Sequence, residues 1–123
     1  MASTDFHEAA ELLTRETREM HRALASLIEE LEAVDWYAQR VDASQDEELK
    51  EILAHNRDEE KEHACMALEW IRRHDAKFDE YLRTFLFRSK DESIVAAEHS
   101  DSSNGPEPTL RIGNLREEEA RSS

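Results

Sequence analysis

Apolar residues along the chain recur with a helical period. Leu13, Thr17, Met20, Leu24, Leu27, Leu31 and Val34 follow alternating steps of four and three, which line one face of an α-helix. A second row shares some of these members: Met20, Ala23, Leu27, Glu30, Val34, Tyr37 and Val41. Every member of that row except Glu30 is apolar or aromatic. The pattern predicts a first helix from about Asp5 to Val41. Asp42 and Ala43 make a short connection. Ser44, with Glu47 three residues on, has the form of a capping box, so a second helix is expected from about Gln45 to His74. Its key row is Leu49, Leu53, Asn56, Glu60, His63, Ala67 and Trp70, flanked by Ile52, Ala64, Leu68 and Ile71. Asp75 can cap a shorter third helix ending near Phe87, with Phe78, Leu82, Phe85 and Leu86 on its apolar side.

Both glycines and both prolines fall after residue 104. The preceding stretch therefore lacks strong backbone punctuation, which favours long helices over a hairpin-rich sheet. The fold class expected is all-α: an antiparallel two-helix hairpin plus a short C-terminal helix. A thirty-residue helix is about 45 Å long, and pairing two of them covers only one side of each. The remaining apolar rows predict self-association into a bundle.

Composition narrows the partners. The 123 residues suffice for one modest domain, and 30 Asp and Glu against 16 Lys and Arg give a formal charge of -14. Phosphate binding needs a basic footprint, so neither nucleic acid nor an anionic membrane is expected as a partner. An acidic chain attracts cations and stays soluble. Cys65 is the single cysteine, which precludes an intrachain disulfide and suits a reducing cytoplasm. No apolar run of transmembrane length and no signal-peptide pattern stands out. Nor is there a P-loop, a dinucleotide-binding glycine pattern or a supported Ser-His-Asp arrangement.

The candidate chemistry lies where the apolar rows are interrupted. Glu60 and His63 are three residues apart on one helix and can aim at one point. Glu30 matches them on the other helix. A buried carboxylate without a partner is costly, so it is protonated, hydrogen-bonded or bound to a metal. Acidic helices also produce solvated Glu-x-x-His pairs by chance. It is the placement on an apolar row, opposite Glu30, that favours a metal. Di-iron carboxylate bundles use one Glu from each of two helices and Glu-x-x-His from each of two others. One copy of this chain supplies half of that set, and a symmetric dimer would supply all of it. Carboxylates with one imidazole per metal suit Fe(II) and Fe(III) and also accommodate Mn or Zn, with Ca a further substitute.

The segments "IEELEAVDWYAQRVDAS" and "ILAHNRDEEKEHACMALEWIRRHDAKF" resemble the encapsulated ferritins, over about residues 8 to 87. That resemblance implies a ferritin-like four-helix bundle formed only on dimerisation, and assembly into a ring-shaped decamer built from dimers. It implies ferroxidase activity at a di-iron centre with ligands at Glu30, Glu60 and His63. It also implies residence in a bacterial or archaeal cytoplasm, inside an encapsulin nanocompartment that completes iron storage. Glu29, Glu32 and Trp36 form another row on the first helix. Read alone, the two glutamates are surface charge; the resemblance implies metal attraction there. His55, Glu59 and Glu62 follow i, i+4, i+7 on the second helix, as an exposed acidic row does; the resemblance implies a peripheral metal position. Tyr37, seven residues after Glu30, lies near the metals or packs in the core. Cys65 faces away from the Glu60/His63 row.

After Lys90 the periodicity decays. "HSDSSNGPEP" is a linker by composition. Leu110, Ile112 and Leu115 then form an apolar island in a polar tail, the form of a short motif that docks in a partner's groove. "LRIGNL" resembles the peptides that load cargo into encapsulin shells, although Arg116 to Ser123 follow it. The domains expected are 1–90 for the half-ferritin ferroxidase unit, 91–108 for a flexible linker and 109–123 for the targeting peptide and tail. The alternative function is an acidic helical oligomer that binds or sequesters divalent metals without catalysis.

Overall fold

The computed structural model describes residues 5–99. Its elements are a 3-10 turn, Ala10–Leu12, then α1 (Arg15–Ala43), α2 (Glu47–His74), α3 (Ala76–Phe85) and a second 3-10 turn, Val95–His99. No strand occurs among the described residues. The expected all-helical hairpin with a short third helix is what the chain forms: α1 and α2 pack along each other, joined by three residues.

The helix starts are set by caps. α1 begins ten residues later than the periodicity predicts, because Thr14 is its N-cap. The Thr14 hydroxyl accepts from the Thr17 N–H at 3.0 Å, satisfying one of the donors a helix start leaves unpaired. Leu13 therefore lies before the helix, not on its apolar row. The residues ahead of it fold back: Arg18 Nη1 donates to the Ala10 carbonyl at 3.1 Å, and the Phe6 and His21 rings meet edge to face at 4.7 Å. α2 is capped by Asp46 rather than Ser44. Asp46 Oδ1 accepts from the Leu49 N–H at 2.9 Å, while the Ser44 hydroxyl accepts from the Asp46 N–H at 3.2 Å. Ser44 thus shapes the turn that presents the cap. Asp75 caps α3 as expected, accepting from the Phe78 N–H at 2.9 Å.

The last turn of α2 carries Arg72, Arg73 and His74, cations placed where the helix dipole favours them. Glu69 ties the two arginines to the helix. Arg72 Nε donates to its Oε1 at 2.8 Å, and Arg73 Nε to its Oε2 at 2.7 Å. Hydrogen bonding by Arg72 holds the Glu69 carboxyl down at about 2. His74 Nδ1 lies 2.8 Å from the Trp70 carbonyl, and its ring stacks on the Trp70 ring at 3.8 Å. Within the 75–99 segment, Arg88 Nε donates to the Thr84 carbonyl at the end of α3. Thr84 and Ala97 are buried there.

Burial shows what the hairpin does not achieve alone. α1 has no buried side chain along its 29 residues, and α2 buries only Ala64 and Ile71. The α2 row expected to be a buried seam is half open: Leu49 is 46% exposed and Ile52 beside it 52%. Apolar surface of this kind on long helices is what a second helical layer covers. No helix among the described residues is long and apolar enough to cross a membrane.

Candidate metal centre

Three side chains converge where α1 and α2 run side by side. Glu30 comes from the middle of α1, and Glu60 and His63 from successive turns of α2. Each offers a ligand atom, and these atoms all lie within 4.8 Å of one another. His63 Nδ1 is 3.6 Å from Glu30 Oε1 and 3.5 Å from Glu60 Oε1. The side chains of Glu30 and Glu60 are 27% and 24% exposed, and His63 is 42% exposed. The cluster therefore sits at the open edge of the hairpin, sheltered but reachable.

Electrostatics show the cost of gathering two carboxyl groups. The Glu30 carboxyl is raised above its ordinary value, first by its hydrogen bond with Glu60 and then by burial. The two groups share a proton better than they share two negative charges. For His63, burial works against the charged ring, but the hydrogen bond to Glu60 and the charges of Glu30, Glu60 and Glu59 outweigh it. The imidazole pKa is raised. A divalent cation would take the place of these protons, and two carboxylates with an imidazole are a borderline-hard donor set that suits Fe(II).

The other residues singled out from sequence are not gathered in the same way. Among the described residues, Glu30, Glu60 and His63 are the one set of three potential ligands brought this close. Glu29 is exposed, Glu32 is half-buried and Trp36 is 41% exposed on α1. Tyr37 is half-buried, with the Arg40 guanidinium 5.2 Å over its ring. On α2, His55 Nε2 lies 3.9 Å from Glu59 Oε2, while Glu62 is exposed. One contact was missed from the sequence. Glu59, read as facing solvent with His55 and Glu62, places Oε1 3.9 Å from His63 Nε2. The signal was present in the i, i+4 spacing of Glu59 and His63. Leu110, Ile112 and Leu115 lie outside the described residues.

Fold and cluster together define a helical-hairpin protein with a carboxylate–carboxylate–imidazole site shared by its two helices. Residues 5–89 match the family model described as EncFtn-like. The chain is 60% identical over 101 residues to an encapsulated ferritin-like protein of Rhodospirillum rubrum, covering 82% of this chain and 71% of that one. It is 48% identical to a ferritin-like protein of Thermotoga maritima, over 89% of this chain and 96% of the relative. It is 34% identical to the encapsulin nanocompartment cargo protein EncC of Myxococcus xanthus, over 80% and 85% of the two chains. The crystal structure of a Nitrosomonas europaea protein superposes with a TM-score of 0.68 at 64% identity, covering 69% of this chain and 93% of that one. The chain belongs to the EncFtn-like family of encapsulated ferritin-like proteins.

Proposed function

We propose that the protein is a ferroxidase that takes Fe(II) as substrate at a site completed by a second copy of the chain. The carrying observation is the convergence of Glu30, Glu60 and His63 on an open edge of the hairpin. A single copy offers three ligands, and apposing two copies doubles the set to the four-carboxylate, two-histidine array of di-iron bundles. The two half-sites then form one ferritin-like four-helix bundle.

In this reading each residue has a defined task. Glu30 and Glu60 supply negative charge, which favours Fe(III) over Fe(II) and so lowers the cost of removing an electron. His63 supplies a neutral nitrogen ligand through Nδ1, the ring atom that already faces both carboxyl groups. Each Fe(II) gives up one electron to an external oxidant, with dioxygen as the acceptor. The resulting Fe(III) leaves as mineral precursor. Glu29 and Glu32, with Trp36 on the same row of α1, attract cations through the field of an acidic chain, and His55, Glu59 and Glu62 on α2 offer a peripheral metal position.

Stopped-flow absorbance under oxygen tests the reaction. A variant carrying Glu30→Ala, Glu60→Ala and His63→Ala is expected to oxidise Fe(II) at the uncatalysed rate. Oxidation as fast as the unaltered chain would reject the assignment. Metal binding by the unaltered chain with no acceleration would favour a sequestering role.

The same reading extends to storage. Leu110, Ile112 and Leu115 dock in a groove of an encapsulin shell protein, so that oxidised iron accumulates inside the shell. The supporting observation is the similarity to a protein named as encapsulin cargo. A chain ending at residue 108 is expected to keep its oxidation rate and to lose shell loading on co-expression. Normal loading of that truncated chain would rule the motif out.

A further inference from the structure

One flank of α2 carries apolar side chains that the hairpin leaves open. Ile52, Met66 and Trp70 are 52%, 59% and 36% exposed. Ile52, His63, Met66 and Trp70 follow one another at eleven, three and four residues, spacings that return to one side of a helix. His63 of the candidate metal centre therefore lies on this flank, with its side chain 42% exposed. Its place there commits the flank to a second copy of the chain: whatever completes the ligand set also covers Ile52, Met66 and Trp70. Met66 sits one turn beyond His63 and presents a thioether, which peroxide oxidises readily.

We propose that Met66 is a modification site: hydrogen peroxide oxidises it to methionine sulfoxide, and the sulfoxide weakens the pairing of two copies along α2. The proposal rests on the reading of the metal centre as shared between copies. On that reading the oxidant arises beside its target. Two Fe(II) ions give two electrons to dioxygen, which takes up two protons and becomes hydrogen peroxide. The Met66 sulfur donates a lone pair to one peroxide oxygen, the O–O bond breaks, and the other oxygen leaves as water. Sulfur loses two electrons and the peroxide gains them.

The consequence follows from the change in polarity. An unbranched thioether adapts to an apolar contact. A sulfoxide in the same place is polar and costs stability when it is buried without a hydrogen-bond donor. Oxidation of Met66 thus separates the half-sites, and iron oxidation slows until the sulfoxide is reduced. Two other sulfurs frame the comparison. Met20 on α1 is half-buried and less open to peroxide. Cys65 is exposed, but a thiol reductant reverses its sulfenic acid or disulfide and leaves a methionine sulfoxide in place.

The full-length chain without iron is treated with hydrogen peroxide, freed of it, returned to the thiol at Cys65 and mapped by peptide mass spectrometry. Sulfoxide is expected to form several-fold faster at Met66 than at Met20. Native mass spectrometry in Co(II) then reads the assembly. Oxidation is expected to raise its dissociation constant about tenfold or more, and methionine sulfoxide reductase to reverse the change. Met66→Leu, apolar and close in volume, is expected to assemble normally and to ignore peroxide. Met66→Gln, polar yet a strong helix former, is expected to assemble as weakly as the oxidised chain without treatment. Equal rates at Met66 and Met20 would overturn the proposal. So would unchanged assembly after full conversion of Met66, or a peroxide effect that persists in Met66→Leu. A chain that stays monomeric in Co(II) before any oxidation would refute the shared centre and the proposal with it. A second arm supplies Fe(II) under oxygen, and sulfoxide is expected at Met66 in the unaltered chain but not in Glu60→Ala. Sulfoxide formed by added peroxide and not by iron turnover would uphold Met66 as the site and reject the ferroxidase as its source of peroxide.

Discussion

Under the proposed ligand assignment, protons and metal would compete for the same atoms at Glu30 and His63. Both groups hold their protons more tightly in the folded chain than their ordinary values of 4.5 and 6.5 imply. A raised value means the folded state binds the proton better than the unfolded state does. The stabilisation each proton brings is therefore full below the unfolded value and is lost as pH rises through the folded one. For Glu30 that window opens above 4.5, and for His63 above 6.5. Metal binding runs the other way, because ligation requires both protons to leave. The expected outcome is a Co(II) affinity that climbs with pH by about tenfold per unit for each proton displaced. Calorimetry in buffers of different ionisation enthalpy counts those protons. Binding that released none at pH 6 would show that the cluster is not the binding site.

At the scale of elements, the existence of each helix was legible and its beginning was less so. The four-three periodicity reports where a helix has an apolar side, and that signal identified α1, α2 and α3. It says little about where the backbone enters the helix. Leu13 fits the spacing of the α1 row, yet Thr14 caps the helix and leaves Leu13 outside. At α2 two capping residues compete within three positions. Asp46 wins because its carboxylate reaches the Leu49 N–H while Ser44 braces the turn. Such a cap contributes about 1 kcal/mol, enough to set a boundary but too local to appear in a periodicity. The convergence of the three candidate ligands was legible for the same reason the helices were. Glu30, Glu60 and His63 interrupt apolar rows, and only a burial argument makes an interruption noticeable. Glu59 interrupts no apolar row, since its neighbours there, His55 and Glu62, are polar. Its contact with His63 depends on which way one ring turns, and sequence spacing permits that contact without requiring it.

At the scale of the molecule, the hairpin is unfinished in two respects that share one remedy. It buries almost none of its own side chains: α1 has none buried, and Leu31, Leu49, Ile52 and Trp70 remain between 36% and 54% exposed. Among the described residues it also brings only three potential ligand side chains together. A second copy laid against the open edge would cover the apolar rows and complete the ligand set together. The formal charge of -14 per chain opposes this, because two such chains repel until cations or salt intervene. Metal ions placed between the copies would cancel charge at the four facing carboxylates. Association should then follow mass action in metal, since an ion that binds the dimer and not the monomer shifts the equilibrium toward the dimer. Native mass spectrometry with and without Co(II) or Fe(II) is expected to show even-numbered assemblies rising with metal. In Glu60→Ala the metal response should disappear, while the response to salt, which acts on the repulsion alone, should remain. A chain that stayed monomeric in metal and in salt alike would refute an intersubunit site, because neither the apolar rows nor the half-set of ligands would then have found their complement.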